Sequence, residues 1–183
     1  PHPARRRVPD SAASRRADRW EARAYQQRLG IRATDLGVFP GYGPWGRPDM
    51  TYYRFTSAIM AGREIDVFND GRMSRDFTYI DDIVESIHRL RGKPPQPIEG
   101  QPPCQLFNIG RGQPVRLLHF VECLEDALGI KAQRNYLPLQ AGDVLETWAD
   151  VGSLSRWIDF TPGTSLEHGV TAFVGWYRDF YRV

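Results

Sequence analysis

The sequence predicts an α/β fold. Segments with apolar residues at helical spacing alternate with short segments of strand character along most of the 183 residues, and this alternation is typical of helices packed on a largely parallel sheet. Apolar residues make up 41% of the chain and aromatic residues 12%, a composition that supports a folded core. The length suits one domain, or one domain and part of another.

The first forty residues predict an arm, a helix and a strand. Residues 1–10 are rich in Pro and Arg without periodicity, so we expect a disordered arm. Residues 11–29 have helical spacing, and Gly30 follows as a terminator. Residues 31–39 have strand character. Four of their apolar side chains are expected to face partly inward: Ile31, Ala33, Leu36 and Phe39.

The next forty residues predict an amphipathic helix and a strand pair. Residues 50–62 carry apolar side chains at helical spacing and end in glycine. Residues 65–69 and 73–80 have the character of short strands. They flank Asp70-Gly71, a dipeptide that favours positive φ, so the pattern predicts a hairpin.

The remainder predicts helices and strands around a Pro-rich loop. Asp81 and Asp82 suit the cap and first turn of a helix that runs to about Leu90. The later elements are a loop over 92–104, a strand over 106–110, a helix over 117–128, a strand over 131–139, a short helix over 151–157 and a last helix from about Ser165.

Charge, cysteine content and hydropathy argue against several classes of partner. Residues 1–32 hold nine Arg against three acidic residues, but the chain shows no recognised nucleic-acid-binding module, so we expect no nucleic-acid partner. No apolar run approaches the roughly 20 residues that span a bilayer, so we expect no membrane contact. Cys104 and Cys123 do not make a disulfide framework, which favours reduced thiols in the cytoplasm.

One motif matches a dinucleotide-binding pattern without its physical requirements. Residues 41–46, GYGPWG, fit G-x-G-x-x-G, and Asp66 lies at the spacing of a ribose-binding acid. The pattern needs a helix that starts within it, so that its amides face the pyrophosphate. Pro44 and Pro48 remove amides, and Trp45 puts a bulky ring where the backbone must approach phosphate. We therefore interpret the match as coincidental.

Five stretches together resemble the extended short-chain dehydrogenase/reductase family. They are VFPGYGPWGRPDM, FTSAIMAGREIDVFNDGRMSRDFTYIDDIV, LFNIGRGQPVRL, LQAGDVLETWADVGSL and FTPGTSLEHGVTAFVGWYRDFY. Among the NAD-dependent epimerases and dehydratases of that family, they are most similar to the UDP-glucuronate 4-epimerases. The resemblance runs from about Ser11 to Val183 and matches the C-terminal part of a typical member.

The resemblance implies a domain division. Residues 11–49 would be the remnant of a dinucleotide-binding domain, that is, the last portion of a doubly wound, Rossmann-like parallel sheet. Residues 50–183 would be mainly a small mixed α/β substrate-binding domain. Family members commonly dimerise through the helix that corresponds to 11–29 together with a preceding one, and we do not expect this chain to dimerise by that route.

The resemblance also implies a reaction in which NAD oxidises the sugar at C4 and returns hydride to the other face. In the family a Tyr takes the proton, and a Lys four residues later holds the nicotinamide ribose. Here Ser11 and Arg15 occupy those two positions. Serine is far less acidic than a phenol, and arginine lacks lysine geometry. The only lysines are Lys93 and Lys131, and neither follows a tyrosine by four residues, so we expect no catalysis by this chain alone.

Five positions match the UDP-sugar site of the family. The implied contacts are the diphosphate for Arg75, the sugar carboxylate for Arg47, the ribose hydroxyls for Asp143, and the uracil slot for Val67 and Phe68. Phe39 stands at a nicotinamide-facing position. For Arg75 the alternative is a purely local ion pair with Asp76.

Two other functions stay open on these motifs. The chain could be a UDP-sugar-binding module or remnant without chemistry, or a relative of the UDP-sugar dehydratases and decarboxylases. Arg47 favours a uronate as the sugar. His88 and His119 are interpreted as surface or packing residues, and the spacing of ligating residues predicts no metal site.

Overall fold

Helices and short strands alternate along the chain, as the apolar pattern predicts. The computed structural model describes residues 10–97, 103–140 and 143–183, with side chains from residue 17 onward. Residues 1–9 of the predicted arm and part of the Pro-rich loop lie outside these residues, and Asp10, the last residue predicted for the arm, instead begins the first helix. The helices are α1 (Asp10–Leu29), α2 (Thr51–Met60), α3 (Ile80–Arg91), α4 (Leu117–Leu128), α5 (Gly152–Ile158) and α6 (Leu166–Tyr181). The strands are β1 (Ala33–Val38), β2 (Gly41–Tyr42), β3 (Ile65–Phe68), β4 (Ser74–Arg75), β5 (Thr78–Tyr79), β6 (Cys104–Ile109), β7 (Val115–Arg116), β8 (Arg134–Leu137) and β9 (Glu146–Thr147).

Most strand pairs are parallel, which confirms the α/β prediction. β1 pairs with β6 along its whole length, from Ala33 opposite Cys104 to Val38 opposite Ile109. β2 with β5 and β3 with β8 form two further parallel pairs. In the remaining sheet β4 lies between β7, which is antiparallel, and β9, which is parallel. Parallel pairing requires crossover connections, so each pair joins distant parts of the chain.

The predicted hairpin around Asp70-Gly71 is wrong. β3 pairs with β8, and β4 pairs with β7 and β9, so the two segments do not pair with each other. The turn between them, Asn69–Gly71, has positive φ at all three residues, as the dipeptide indicated. A Cβ on Gly71 would lie 2.5 Å from the Leu118 side chain, so only glycine fits this close approach to α4. The turn therefore directs the chain away from β3.

The start of β1 differs from the sequence expectation. The strand begins at Ala33, and Ile31 precedes the pairing and is 50% exposed, so the prediction that Ile31 faces inward is wrong. Ala33, Leu36 and Phe39 are half-buried, as expected. Backbone pairing with β6, rather than apolar alternation, sets the limits of this strand.

Two apolar clusters form the core. The larger one joins α2, α4 and α6 with β2, β3 and β5, and its fully buried members include Val67, Phe120 and Phe173. The smaller one joins α3, β6 and α5, with Leu36 of β1 packed against it. In the described part of the chain, no helix combines the length and apolar character needed to cross a membrane.

Asp82 connects α3 to the start of α6. Both Asp81 and Asp82 lie in the first turn of α3, as expected, but the N-cap position is Tyr79, so the cap prediction is wrong. The Asp82 carboxylate instead accepts hydrogen bonds from the backbone N–H of Gly163 at 3.1 Å and of Thr164 at 2.9 Å, and from the Thr164 hydroxyl. The acid therefore fixes the loop that precedes α6 rather than its own helix.

The carboxylate of Asp76, which is fully buried, joins three segments of the chain. One oxygen accepts the backbone N–H of Arg111 at 3.1 Å, and the other accepts those of Gly112 and Ala149, both at 2.9 Å. Amide donors can compensate for the burial of a carboxylate because charge-assisted hydrogen bonds are strong. Asp76 therefore holds the segment after β6 and the segment before α5 against β4.

Glu125 on α4 is a third buried acid with several hydrogen-bond partners. Its carboxylate accepts hydrogen bonds from Lys131 and Arg134, both at 2.8 Å, and from the backbone N–H of Ala132 at 3.1 Å. Burial by itself raises the pKa of Glu125, but these hydrogen bonds outweigh it, and the pKa is lowered overall. The ionised form of Glu125 therefore stabilises the junction between α4 and β8.

Asp76→Ala should destabilise the fold strongly. The substitution leaves the buried amide of Ala149 and the partly buried amide of Gly112 without an acceptor, and each buried group left so costs about 1–3 kcal/mol. We expect the free energy of unfolding, measured by urea denaturation, to fall by about 2–5 kcal/mol. Asp179→Asn, at an exposed position of α6, is the control and should change it little. A loss as small as that of the control would contradict the role of Asp76.

Glu125→Gln should destabilise the protein at neutral pH more than in acid. Because the folded pKa is lowered, the stabilisation is complete above the ordinary glutamate pKa of 4.5 and is lost as pH falls through the lowered value. We expect a loss of about 1–3 kcal/mol near neutral pH and a smaller loss in acid, measured by denaturation at both pH values. The exposed neighbour change Asp126→Asn is the control. Equal losses at both pH values would refute this linkage.

Candidate functional site

A cavity of about 820 Å³ opens beside α2, β3 and β4. Its size is typical of small-molecule sites. The lining side chains that bear polar or aromatic groups include Tyr53, Asp66, Phe68, Arg75, Gln140 and Asp143. Three residues that the sequence assigned to one ligand, Phe68, Arg75 and Asp143, thus line the same cavity.

Arg75 and Asp143 form an ion pair at the cavity wall. The Arg75 guanidinium donates to Asp143 Oδ1 at 2.7 Å, and also to the backbone carbonyls of Ser74 and Leu145. Both side chains keep partial exposure, 22% for Arg75 and 33% for Asp143. The alternative partner considered for Arg75, Asp76, instead accepts only backbone amides in the described contacts. The arrangement presents a fixed cation with an acceptor beside it.

The two predicted uracil-slot residues point to opposite faces of β3. Val67 is fully buried in the larger core cluster, and its side chain does not line the cavity. Phe68 does line it. Side chains alternate between the two faces of a strand, so those of Val67 and Phe68 point to opposite sides of β3. Asp66 shares the cavity face with Phe68 and accepts a hydrogen bond from Asn135 of β8.

Arg47 lies outside the cavity lining. Its guanidinium is 78% exposed and donates to the Asp49 carboxylate, and this hydrogen bond lowers the pKa of Asp49. The next residue, Pro48, does line the cavity. Arg47 is therefore an exposed cation on the loop that borders the cavity.

Two tyrosines of α2 border the cavity as neutral groups. Burial raises the pKa of Tyr52 and of Tyr53, and the Tyr53 hydroxyl shares a hydrogen bond with that of Tyr181 on α6. Both phenols therefore stay protonated near neutral pH and can act as donors, not as bases.

Two further groups of predicted residues lie elsewhere. Phe39 is half-buried, and its N–H donates to the Ile109 carbonyl at 2.9 Å, continuing the β1–β6 pairing. It does not line the cavity. Ser11 and Arg15 fall within α1, and their side chains lie outside the described residues.

The GYGPWG segment does not form a phosphate cradle. Its first two residues are β2, and the next helix begins only at Thr51. Trp45 has positive φ and is 76% exposed, and its ring packs against Trp176 and Phe180 of α6. Because no helix N-terminus follows the glycines, no row of free amides faces a ligand. The interpretation of the match as coincidental is confirmed.

Sequence reasoning missed Tyr53, Asp66 and Gln140 as lining residues. The two-residue period of a strand would have indicated Asp66, because it stands two residues before Phe68 on the same strand face. Tyr53 lies in the segment predicted as an amphipathic helix, and its side chain is both 5% exposed and at the cavity wall. Gln140 lies in the loop after β8, where no periodicity indicates which way its side chain points.

Comparison with known proteins identifies related sequences. The profile of the NAD dependent epimerase/dehydratase family matches residues 11–110. An uncharacterized 37.6 kDa protein in the cld 5′ region of Escherichia coli O111:H- is 49% identical over 94% of this chain and 55% of its own length. Protein CapI of Staphylococcus aureus is 46% identical over 93% of this chain and 54% of its own. A probable UDP-glucuronate 4-epimerase of Rhizobium meliloti (strain 1021) is 43% identical over 93% and 54%.

Two solved structures of UDP-sugar-binding proteins have a similar fold. UDP-glucuronic acid 4-epimerase from Bacillus cereus, in complex with UDP-glucuronic acid and NAD, superposes with a TM-score of 0.74 at 28% identity, over 86% of this chain and 49% of that one. MoeE5, in complex with UDP-glucuronic acid and NAD, superposes with a TM-score of 0.76 at 27% identity, over 88% and 53%. The chain thus spans about half the length of the relatives it matches.

Proposed function

Because this chain belongs to the NAD-dependent epimerase/dehydratase family, we propose that it carries the UDP-sugar-binding part of a UDP-glucuronate 4-epimerase. The observation that supports this most is the position of Arg75, a partly exposed guanidinium at the wall of an 820 Å³ cavity, fixed beside Asp143. Relatives at 38–43% identity bear the name of that enzyme. NAD supplies the family's hydride chemistry at the sugar, and this chain's residues would bind and orient the nucleotide sugar.

In this proposal Arg75 binds the diphosphate. Its contacts to Asp143 and to two backbone carbonyls fix the plane of the guanidinium and leave donors of the five-donor fork for phosphate oxygens. Asp143 would accept the ribose hydroxyls while it keeps its bond to Arg75. Phe68 would contact the uracil through its ring, and the buried Val67 would contribute only its backbone.

Arg47 would select a uronate. Its present partner is the exposed Asp49 carboxylate, and the carboxylate of a glucuronate could replace Asp49 in the same bidentate geometry. Exposed ion pairs are worth little, so exchanging one carboxylate for another costs little. The neighbouring Pro48 lines the cavity, which supports a position of this loop beside the bound sugar.

The described residues do not fit the pyrophosphate of NAD. GYGPWG opens no helix, and the one NAD contact assigned from the family, the half-buried Phe39, carries no group that can bind a phosphate. We therefore propose that NAD is not held by these segments alone.

Both cysteines are free thiols, which supports a cytoplasmic location.

A second candidate function is a UDP-sugar-binding module without chemistry. The observation that favours it is the occupancy of the family's Tyr and Lys positions by Ser11 and Arg15. Serine cannot serve as the proton acceptor that a phenol with lowered pKa provides. Both candidates share the same cavity and the same substrate, so the following two experiments apply to either.

Arg75→Ala should weaken UDP-glucuronate binding. The substitution removes the charge-assisted bonds to the diphosphate, so we expect the affinity, measured by calorimetric titration without NAD, to fall at least about ten-fold. Arg72→Ala, at an exposed position that does not line the cavity, is the matched control and should leave the affinity unchanged. Equal affinity of Arg75→Ala and the unmodified chain would sink the proposed site.

Arg47→Ala should change selectivity rather than binding in general. We expect the affinity for UDP-glucuronate to fall about ten-fold, because a charge-assisted pair is lost, while that for UDP-glucose changes less than about two-fold. Parallel titrations with the two sugars measure the difference. If both affinities fall equally, or neither falls, Arg47 does not recognise the sugar carboxylate.

A further inference from the structure

Three side chains with metal-binding atoms meet between α4 and α6. His119 and Cys123 stand four residues apart on α4, and Glu167 lies in the first turn of α6. One ligating atom from each lies within 4.8 Å of the other two. The spacing of ligating residues in the sequence predicts no metal site. The His119–Cys123 spacing places both on one helix face, but the contact with Glu167 depends on the packing of two helices.

The distances in this cluster suit a tetrahedral ion. His119 Nε2 lies 3.4 Å from Glu167 Oε1. Two ligands of a tetrahedral zinc ion, each about 2.0–2.1 Å from the metal, lie about 3.3 Å apart. Cys123 Sγ lies within 4.8 Å of an imidazole nitrogen of His119 and a carboxylate oxygen of Glu167, so a side-chain adjustment can bring it to the third corner.

The surroundings also suit an ion. Cys123 is buried, while His119 and Glu167 are about half exposed, so an ion can enter from solvent and leave one corner for water. A cavity of about 540 Å³ borders the cluster and is lined by His119, Glu122 and Glu167. Glu122 lies 3.7 Å from His119 Nδ1, where a carboxylate typically orients a metal-bound imidazole.

We propose that His119, Cys123 and Glu167 bind one Zn²⁺ ion through an imidazole nitrogen, a thiolate and a carboxylate oxygen. This mixed S, N and O donor set is typical of zinc rather than of Mg²⁺ or Ca²⁺, which take oxygen ligands. The ion connects α4 to α6 and thereby stabilises the larger core cluster. None of the three residues lines the 820 Å³ cavity, so the site is independent of the proposed function.

Cobalt titration tests the site spectroscopically. The untagged chain is stripped with a chelator and titrated with Co²⁺, which occupies zinc sites and shows a thiolate-to-metal absorption band when cysteine binds. We expect the band to appear, to be displaced by Zn²⁺, to vanish in Cys123→Ser, and to need about ten-fold more Co²⁺ or greater in His119→Ala. Cys104→Ser and His88→Ala are the matched controls and should keep the band.

A melting experiment covers the case in which Cys123→Ser fails to fold. Glu167 is exposed, so Glu167→Gln should fold normally. Zn²⁺ should raise the Tm of the unmodified chain and of the two controls, but raise that of Glu167→Gln and His119→Ala clearly less. Absence of a thiolate band in the unmodified chain, persistence of the band in Cys123→Ser, or equal Tm shifts in all variants would each overturn the proposal.

Discussion

The buried carboxylate of Asp76 is the interaction that holds together the segments around Arg75. It follows Arg75 directly and accepts amides from the segment after β6 and from the segment before α5. By holding that second segment, it keeps β9 in register with β4, where Ser74 pairs with Glu146. The chain just before β9 then passes close enough for Asp143 to bond Arg75 at 2.7 Å. The buried acid thus directly follows Arg75, the last residue of β4 and the proposed diphosphate-binding side chain.

The helices could be predicted from the sequence because their signals are local. Residues 117–128 were predicted as a helix, and α4 has those limits, since its apolar spacing is regular and Gly129 follows in a left-handed conformation. The pairing of the strands could not be predicted in the same way, because it depends on partners that are distant in the sequence. β3 pairs with β8, whose residues are far along the chain, and no local pattern distinguishes that pairing from a hairpin. β2, β7 and β9 have two residues each, too few for any periodicity to show.

The site was predictable in part. Arg75, Asp143 and Phe68 were assigned through motif resemblance, and they line one cavity, although nothing in their spacing of up to 75 residues indicates proximity. Strand alternation would have separated Phe68 from Val67, since consecutive residues face opposite sides. The partner of Arg75 was not predictable. Its immediate neighbour Asp76 accepts hydrogen bonds from backbone amides because it is buried. Only the fold determines that burial.

The most direct test of whether Arg75 and Asp143 bind a nucleotide sugar is hydrogen–deuterium exchange. The chain is measured with and without UDP-glucuronate, in the absence of NAD. We predict slower exchange on binding at residues 73–76 and 143–147, the two segments that the Arg75–Asp143 pair joins. Unchanged exchange at both segments with saturating UDP-glucuronate, or slowing confined to residues 41–46, would contradict this assignment of the site.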